Sequence, residues 1–278
     1  MTVLWIVLGV LLLAVLLFLF LIRPRRRRDT SHLEGIAYAH RGYHAAPDFP
    51  ENSLAAFRRA VESGYGVELD VQLTRDGQMV VFHDGSLLRM CGVDKRVCDL
   101  SYDELQAYSL GNTREKIPLF SQVLQVLGGV PLICEIKTYR SNTDLSVCEK
   151  VAPLLEQYPG PVCMESFNPL CVRWFKKHCP GMVRGQLSMD FSRDSGGQNP
   201  VVGFCLTHLL INVLGRPDFV AYCHLDTRAV GFRVCRKLFS PMLAAWTIRT
   251  PQEQQQAERI FDAVIFEGYP APKGKADS

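Results

Sequence analysis

Positions 3–22 read VLWIVLGVLLLAVLLFLFLI, twenty uncharged residues with no polar face, and from there to the end short apolar blocks alternate with mixed ones. Twenty helical residues at 1.5 Å each span about 30 Å, the thickness of a bilayer's hydrocarbon core, so the first block predicts a transmembrane helix. Charge follows this block, at Arg23 and at Arg25 to Arg28, rather than preceding it. A secretory signal has the reverse order and a shorter apolar stretch, so the segment reads as a retained anchor. The positive-inside rule then predicts a single-pass membrane protein with its main domain on the cytoplasmic side.

Beyond a polar linker, strand-length apolar runs alternate with helical patterns, the signature of repeated βα units and a parallel sheet. Strands are predicted at 36–39, 66–73, 79–83, 132–137, 162–167, 182–186, 219–223, 243–247 and 263–266. Nine candidates exceed the eight of a closed barrel. Thr74-Arg75-Asp76-Gly77 is a hairpin signal, so the third run is read as an antiparallel return of the second. The predicted fold is α/β: a TIM-type (β/α)8 barrel with a small insertion after the third strand, over 84–120, behind one N-terminal transmembrane helix. Residues 1–24 are the anchor, 25–34 a basic juxtamembrane linker, 35–272 the barrel and 273–278 a tail. Asn52 or Ser53 can cap LAAFRRAVES, and Ser101 with Glu104 forms a capping box. A second excursion, 188–218, carries VVGFCLTHLLINVLG, too short to span and read as one more packed helix, or as an element near the membrane that helps admit a lipid.

Composition narrows the function. Charged residues make up 21% of the 278 and the net charge is +3, to which Arg25–Arg28 alone contribute four positive charges, so nothing points to nucleic acid as a partner. The ten cysteines form no CxxC pair, and Cys134, Cys163 and Cys223 lie in apolar runs as small hydrophobes. Neither a disulfide framework nor a zinc site is expected.

The chemistry lies where ionisable residues interrupt or end these strands. Glu68 and Asp70 in VELDV are two apart and share a face; Glu135 and Lys137 in EIK repeat the pattern. His40-Arg41 and His83-Asp84 end two other runs. Three carboxylates facing one interior repel, and a hard divalent cation relieves that most simply; the alternative is partly solvated strand ends paired with Arg41 and Lys137. Parallel barrels carry their reactive groups at the strands' C-terminal ends. A metal, two histidines, an arginine and a lysine are what cleavage of a phosphodiester requires. His32, His44, His178, His208 and His224 are read as structural.

In order, HRG, PENS-LAAF, ELDVQLTRDG, VVFHD, EIK, AAWTI and IFEGYP resemble the glycerophosphodiester phosphodiesterase family from residue 36 to about 270. The resemblance implies a TIM-type barrel in which Glu68, Asp70 and Glu135 bind Ca²⁺ or Mg²⁺. It further implies His40 and His83 as the acid/base pair, phosphate contacts from Arg41 and Lys137, and support from Glu51. Trp246 matches the family's late strand tryptophan and lines the site or packs in the core. The substrate expected is a glycerophosphodiester or, as a rival, a lysophospholipid, cleaved as by a lysophospholipase D or a sphingomyelinase D; a catalytically inactive membrane sensor is the third reading. Two departures, WTIR and Glu267 before the final x-Pro, alter the polar rim.

Overall fold

The computed structural model describes residues 1–25, 29–192 and 199–272. The predicted tail at 273–278 and Arg26–Arg28 of the linker lie outside the described residues.

Helix α1, Thr2–Ile22, is long and apolar enough to cross a membrane, with a mean hydropathy of 3.2 and only 6% of that window buried. Strands β1 Ala37–His40, β2 Gly66–Leu73, β3 Met79–Val81, β4 Leu132–Ile136, β5 Val162–Ser166, β6 Val183–Ser188, β7 Phe219–Cys223, β8 Met242–Ile248 and β9 Ala263–Phe266 form one sheet. Eight of them are parallel. The circle closes because β1 pairs with both β2 and β9, while β3 returns antiparallel along β2 with Val71 opposite Val81. The barrel and its hairpin are therefore as the alternation and the Thr74–Gly77 turn predict.

The helices are α2 Leu54–Glu62, α3 Leu88–Cys91, α4 Tyr102–Leu105, α5 Phe120–Leu127, α6 Ser146–Glu156, α7 Pro169–His178, α8 Pro200–Thr207, α9 Asn212–Gly215, α10 Val230–Phe239 and α11 Pro251–Ala257. Ser53 caps α2 by accepting from the Ala56 amide, and the Ser101–Glu104 capping box forms at α4. The insertion builds its own apolar cluster from residues such as Phe82, Leu87, Val97, Leu105 and Ile117. It therefore folds as a unit on the rim. The run predicted as one helix at 201–215 is two: Leu209 is fully buried with φ 59°, and a left-handed residue cannot continue a helix.

Period-two alternation sorts each strand. Val67, Leu69 and Val71 face the helices; Glu68, Asp70 and Gln72 face the barrel interior, where all three are buried. The interior floor is apolar, built from Tyr38, Ile133, Cys163, Phe219 and their neighbours. Gly185 on β6 matters here: a Cβ would sit inside the Phe219 ring, so only glycine lets that ring plug the barrel.

Candidate active site

Register places the interior carboxylates in one belt above the floor. His40 pairs with Glu68, and Asp70, Glu135 and Glu165 are successive partners across β2, β4 and β5. Candidate ligand oxygens of Glu68, Asp70 and Glu135 lie within 4.8 Å of one another, all buried. Lys137 Nζ stands 2.7 Å from Glu135 and 3.0 Å from Asp70, and Arg41 Nε 3.6 Å from Asp70. Four interior carboxylates thus face two cations. Were all four ionised, they would exceed the two cations by two charges among buried side chains, and the oxygen-only donor set suits a hard divalent ion.

The protonation equilibria register this crowding. Burial, then the neighbouring carboxylates, pushes Glu68 and Glu165 well above the usual range. Burial also raises Glu135, with Lys137 opposing it. At Asp70 burial pushes up too, yet Lys137, His83, Arg41 and the amide of Asn52 outweigh it and keep the carboxylate ionised. Asn52 Nδ2 donates to Asp70 Oδ2 at 2.9 Å, and the Arg41 amide donates to Glu68 Oε2 at 3.1 Å. Both are reached because Arg41, Gly42 and Asn52 adopt positive φ, turning the loop after β1 over the belt.

The two histidines arrive by different routes. His40 ends β1. His83 lies two residues beyond β3, whose return along β2 brings Phe82 N to Asp70 O at 3.0 Å. Each has Nδ1 tied to a carboxylate: His40 to Glu267 at 2.5 Å and His83 to Asp84 at 2.6 Å. That arrangement turns each Nε2 away from its carboxylate, and His40 Nε2 lies 4.0 Å from Glu68. Burial depresses the His40 pKa while Glu267 opposes it. Glu51 bridges Arg41 at 2.8 Å and Arg89 at 2.6 Å, and Arg89 reaches Asp84 at 2.6 Å, so one chain of ion pairs runs from the β1 loop to His83. Glu51 serves the loops, outside the acidic group. Trp246 packs edge-on to Phe167 at 5.6 Å, half-buried at the margin of the barrel's apolar interior, with its indole N–H buried and without a partner among the described residues.

Three participants escaped the sequence reading. Glu165 sits in an apolar run, VCMESF; the i, i+2 test that marked EIK finds no second charge there. Glu267 was visible only as a departure near the last strand. His44, read as structural, joins His40 and Glu267 in a compact group, its Nε2 3.6 Å from Glu267.

Residues 40–162 match the sequence model of the glycerophosphoryl diester phosphodiesterase family. A glycerophosphodiester phosphodiesterase of Caldanaerobacter subterraneus is 32% identical over 166 residues, covering 56% of this chain and 67% of the relative. The chain belongs to the glycerophosphodiester phosphodiesterase family. A lysophospholipase D of Rattus norvegicus within it is 35% identical over 149 residues, 49% of this chain and 44% of that one. Among solved structures, the family's Thermotoga maritima enzyme has a TM-score of 0.64 at 24% identity, covering 83% of this chain and 93% of that one. An Oleispira antarctica phosphodiesterase, solved with the product sn-glycerol-3-phosphate, has a TM-score of 0.67 at 23% identity, covering 84% and 93%. The barrel is thus the family's fold.

Proposed function

We propose that the chain hydrolyses glycerophosphodiesters to glycerol 3-phosphate and an alcohol, with a divalent cation, Ca²⁺ or Mg²⁺, held by Glu68, Asp70 and Glu135. The observation that carries this reading is the buried cluster of Glu68, Asp70 and Glu135 oxygens, flanked by two histidines each tied through Nδ1 to a carboxylate. When bound, the cation supplies electrostatic stabilisation to a phosphate's non-bridging oxygens. Arg41 and Lys137 bind those oxygens alongside it. Glu267 and Asp84 hold His40 and His83 with Nδ1–H donated to carboxylate, leaving Nε2 to exchange a proton. In the first step one imidazole takes the proton of the attacking glycerol hydroxyl while the other protonates the departing alcohol. The roles then reverse, the second taking a proton from water and the first returning its own to the glycerol oxygen as the cyclic phosphate opens. Trp246 lines one wall. The domain bounds go with this reading: anchor to residue 24, linker 25–34, and barrel 35–272 in the cytoplasm.

The attachment of α1 favours a water-borne substrate. Arg25 N donates to Pro217 O at 2.8 Å and its side chain to Pro180 O at 3.1 Å, and both prolines precede strands. The anchor therefore joins the barrel at the end opposite the strands' C-terminal mouth. One observation favours a lysophospholipid instead: a cavity of about 530 Å³ lined by Phe191, Phe204 and Gly203 among others lies beside the mouth. Phe167 links Phe191 to Trp246, with ring centroids 6.2 and 5.6 Å apart. The named lysophospholipase D relative supports the same reading.

Turnover of glycerophosphocholine and lysophosphatidylcholine is to be measured side by side with Ca²⁺, Mg²⁺ or chelator. Cleavage of the deacylated diester, lost with chelator and in Glu68→Gln, is the expected result. Cleavage of the acylated substrate alone moves the assignment to the lipid enzyme, and cleavage of neither refutes both.

A further inference from the structure

A second charged recess lies where α1 meets the barrel, far from the mouth. It has a volume of about 420 Å³ and its lining includes Arg23, Arg25, Lys176, Arg184 and Arg216. Asp218 pairs with Arg25 at 3.6 Å and with Arg184 at 3.5 Å, and among the described residues the lining itself includes five cations and no carboxylate. Some of this charge is structural: Arg184 donates to the carbonyls of Gly215 and Arg216, and Arg216 to those of Phe20 and Arg23. Lys176 is exposed and, among the described residues, donates to the Leu214 carbonyl at 3.3 Å. Burial and repulsion from Arg216 and Arg184 depress its pKa, the mark of a lysine short of negative charge.

Position identifies the occupant. Arg23 and Arg25 are the first charged residues after the apolar span, which sets the recess at headgroup height in any bilayer that α1 crosses. The Arg216 guanidinium lies 4.6 Å from the ring centre of Phe20, which is itself 55% exposed, so an apolar helix surface starts at the recess's edge. A free phosphate would satisfy the cations and leave that surface unused; a phospholipid satisfies both. We propose that this recess binds the phosphate headgroup of an anionic phospholipid, whose acyl chains lie along α1. The proposal rests on the membrane-anchor reading of α1. Its role is to orient the barrel on the membrane, a requirement distinct from the general pull of the Arg25–Arg28 run.

The test is native mass spectrometry of the full chain released from nanodiscs of phosphatidylcholine and phosphatidylglycerol at 3:1, comparing the natural chain with Lys176→Glu. Lys176 lies on α7 outside the proposed catalytic groups, so unchanged turnover of the soluble diester verifies the fold. Expected is retention of phosphatidylglycerol above its bulk fraction, reduced roughly 5- to 30-fold in the variant, which reverses one charge at the recess. Equal retention of both lipids, enrichment unaltered by Lys176→Glu, or displacement of the lipid by millimolar inorganic phosphate would overturn the proposal alone. Failure of the chain to enter nanodiscs would overturn it together with the anchor.

Discussion

Replacing Glu267 by glutamine tests the His40 geometry with little change in shape. Glutamine keeps an oxygen that accepts from Nδ1 but removes the charge that stabilises an imidazolium. The His40–Glu267 bond is 2.5 Å long and the glutamate side chain is 19% exposed, so water screens it only in part. At an effective dielectric constant near 20, unit charges about 4 Å apart interact by ~4 kcal/mol. Discounting for partial exposure leaves about 2–3 kcal/mol, roughly a 30- to 150-fold loss of kcat, since each 1.4 kcal/mol is tenfold. The assay is steady-state cleavage of glycerophosphocholine with saturating divalent cation, alongside thermal unfolding. Arg249→Ala is the comparison: Arg249 pairs with Glu267 at 2.8 Å but is 61% exposed, so its removal should change kcat by less than about fivefold. If Glu267→Gln lost less than threefold in kcat with an unchanged melting temperature, the orientation of His40 by Glu267 would play no part in the rate.

The acidic belt predicts metal-linked stability. Saturating Ca²⁺ or Mg²⁺ at about 100 times its Kd should stabilise the fold by ~2.7 kcal/mol, seen as a raised melting temperature that Glu68→Gln abolishes. Lys137→Met, which leaves Asp70 and Glu135 buried without their common cation, should cost about 3–5 kcal/mol in chelator and less when divalent cation is present; an equal cost in both conditions would argue that no ion shares that belt. Gly185→Ala should destabilise by at least ~1–3 kcal/mol through overlap with Phe219, and Phe219→Leu should recover part of the loss when combined with it, as chemical denaturation would report. Filling the cavity beside Phe191 with Gly203→Leu should leave glycerophosphocholine turnover within twofold; a matching fall in turnover of both substrates would remove the cavity from consideration as an acyl site.

Much of this protein was legible from spacing alone. The period-two pattern in VELDV and LICEIK commits Glu68, Asp70, Glu135 and Lys137 to one face of their strands, whatever the strands later meet, because alternation is a property of the extended backbone. The Thr74–Gly77 turn likewise dictates that the run after it folds back, and that return is what carries His83 beside Asp70. The uncharged span of α1 is set by composition. Tertiary structure decided the rest. Glu165 becomes part of the acidic belt only because β5 takes the register that sets it opposite Glu135, and Glu267 meets His40 across 227 residues only because β9 closes the barrel against β1. The break at Leu209 and the seat of Ile22 beside α9, where Asn212 donates to its carbonyl at 2.9 Å, follow from packing that no local pattern encodes. Local spacing determines which way a side chain points; barrel closure determines what it points at.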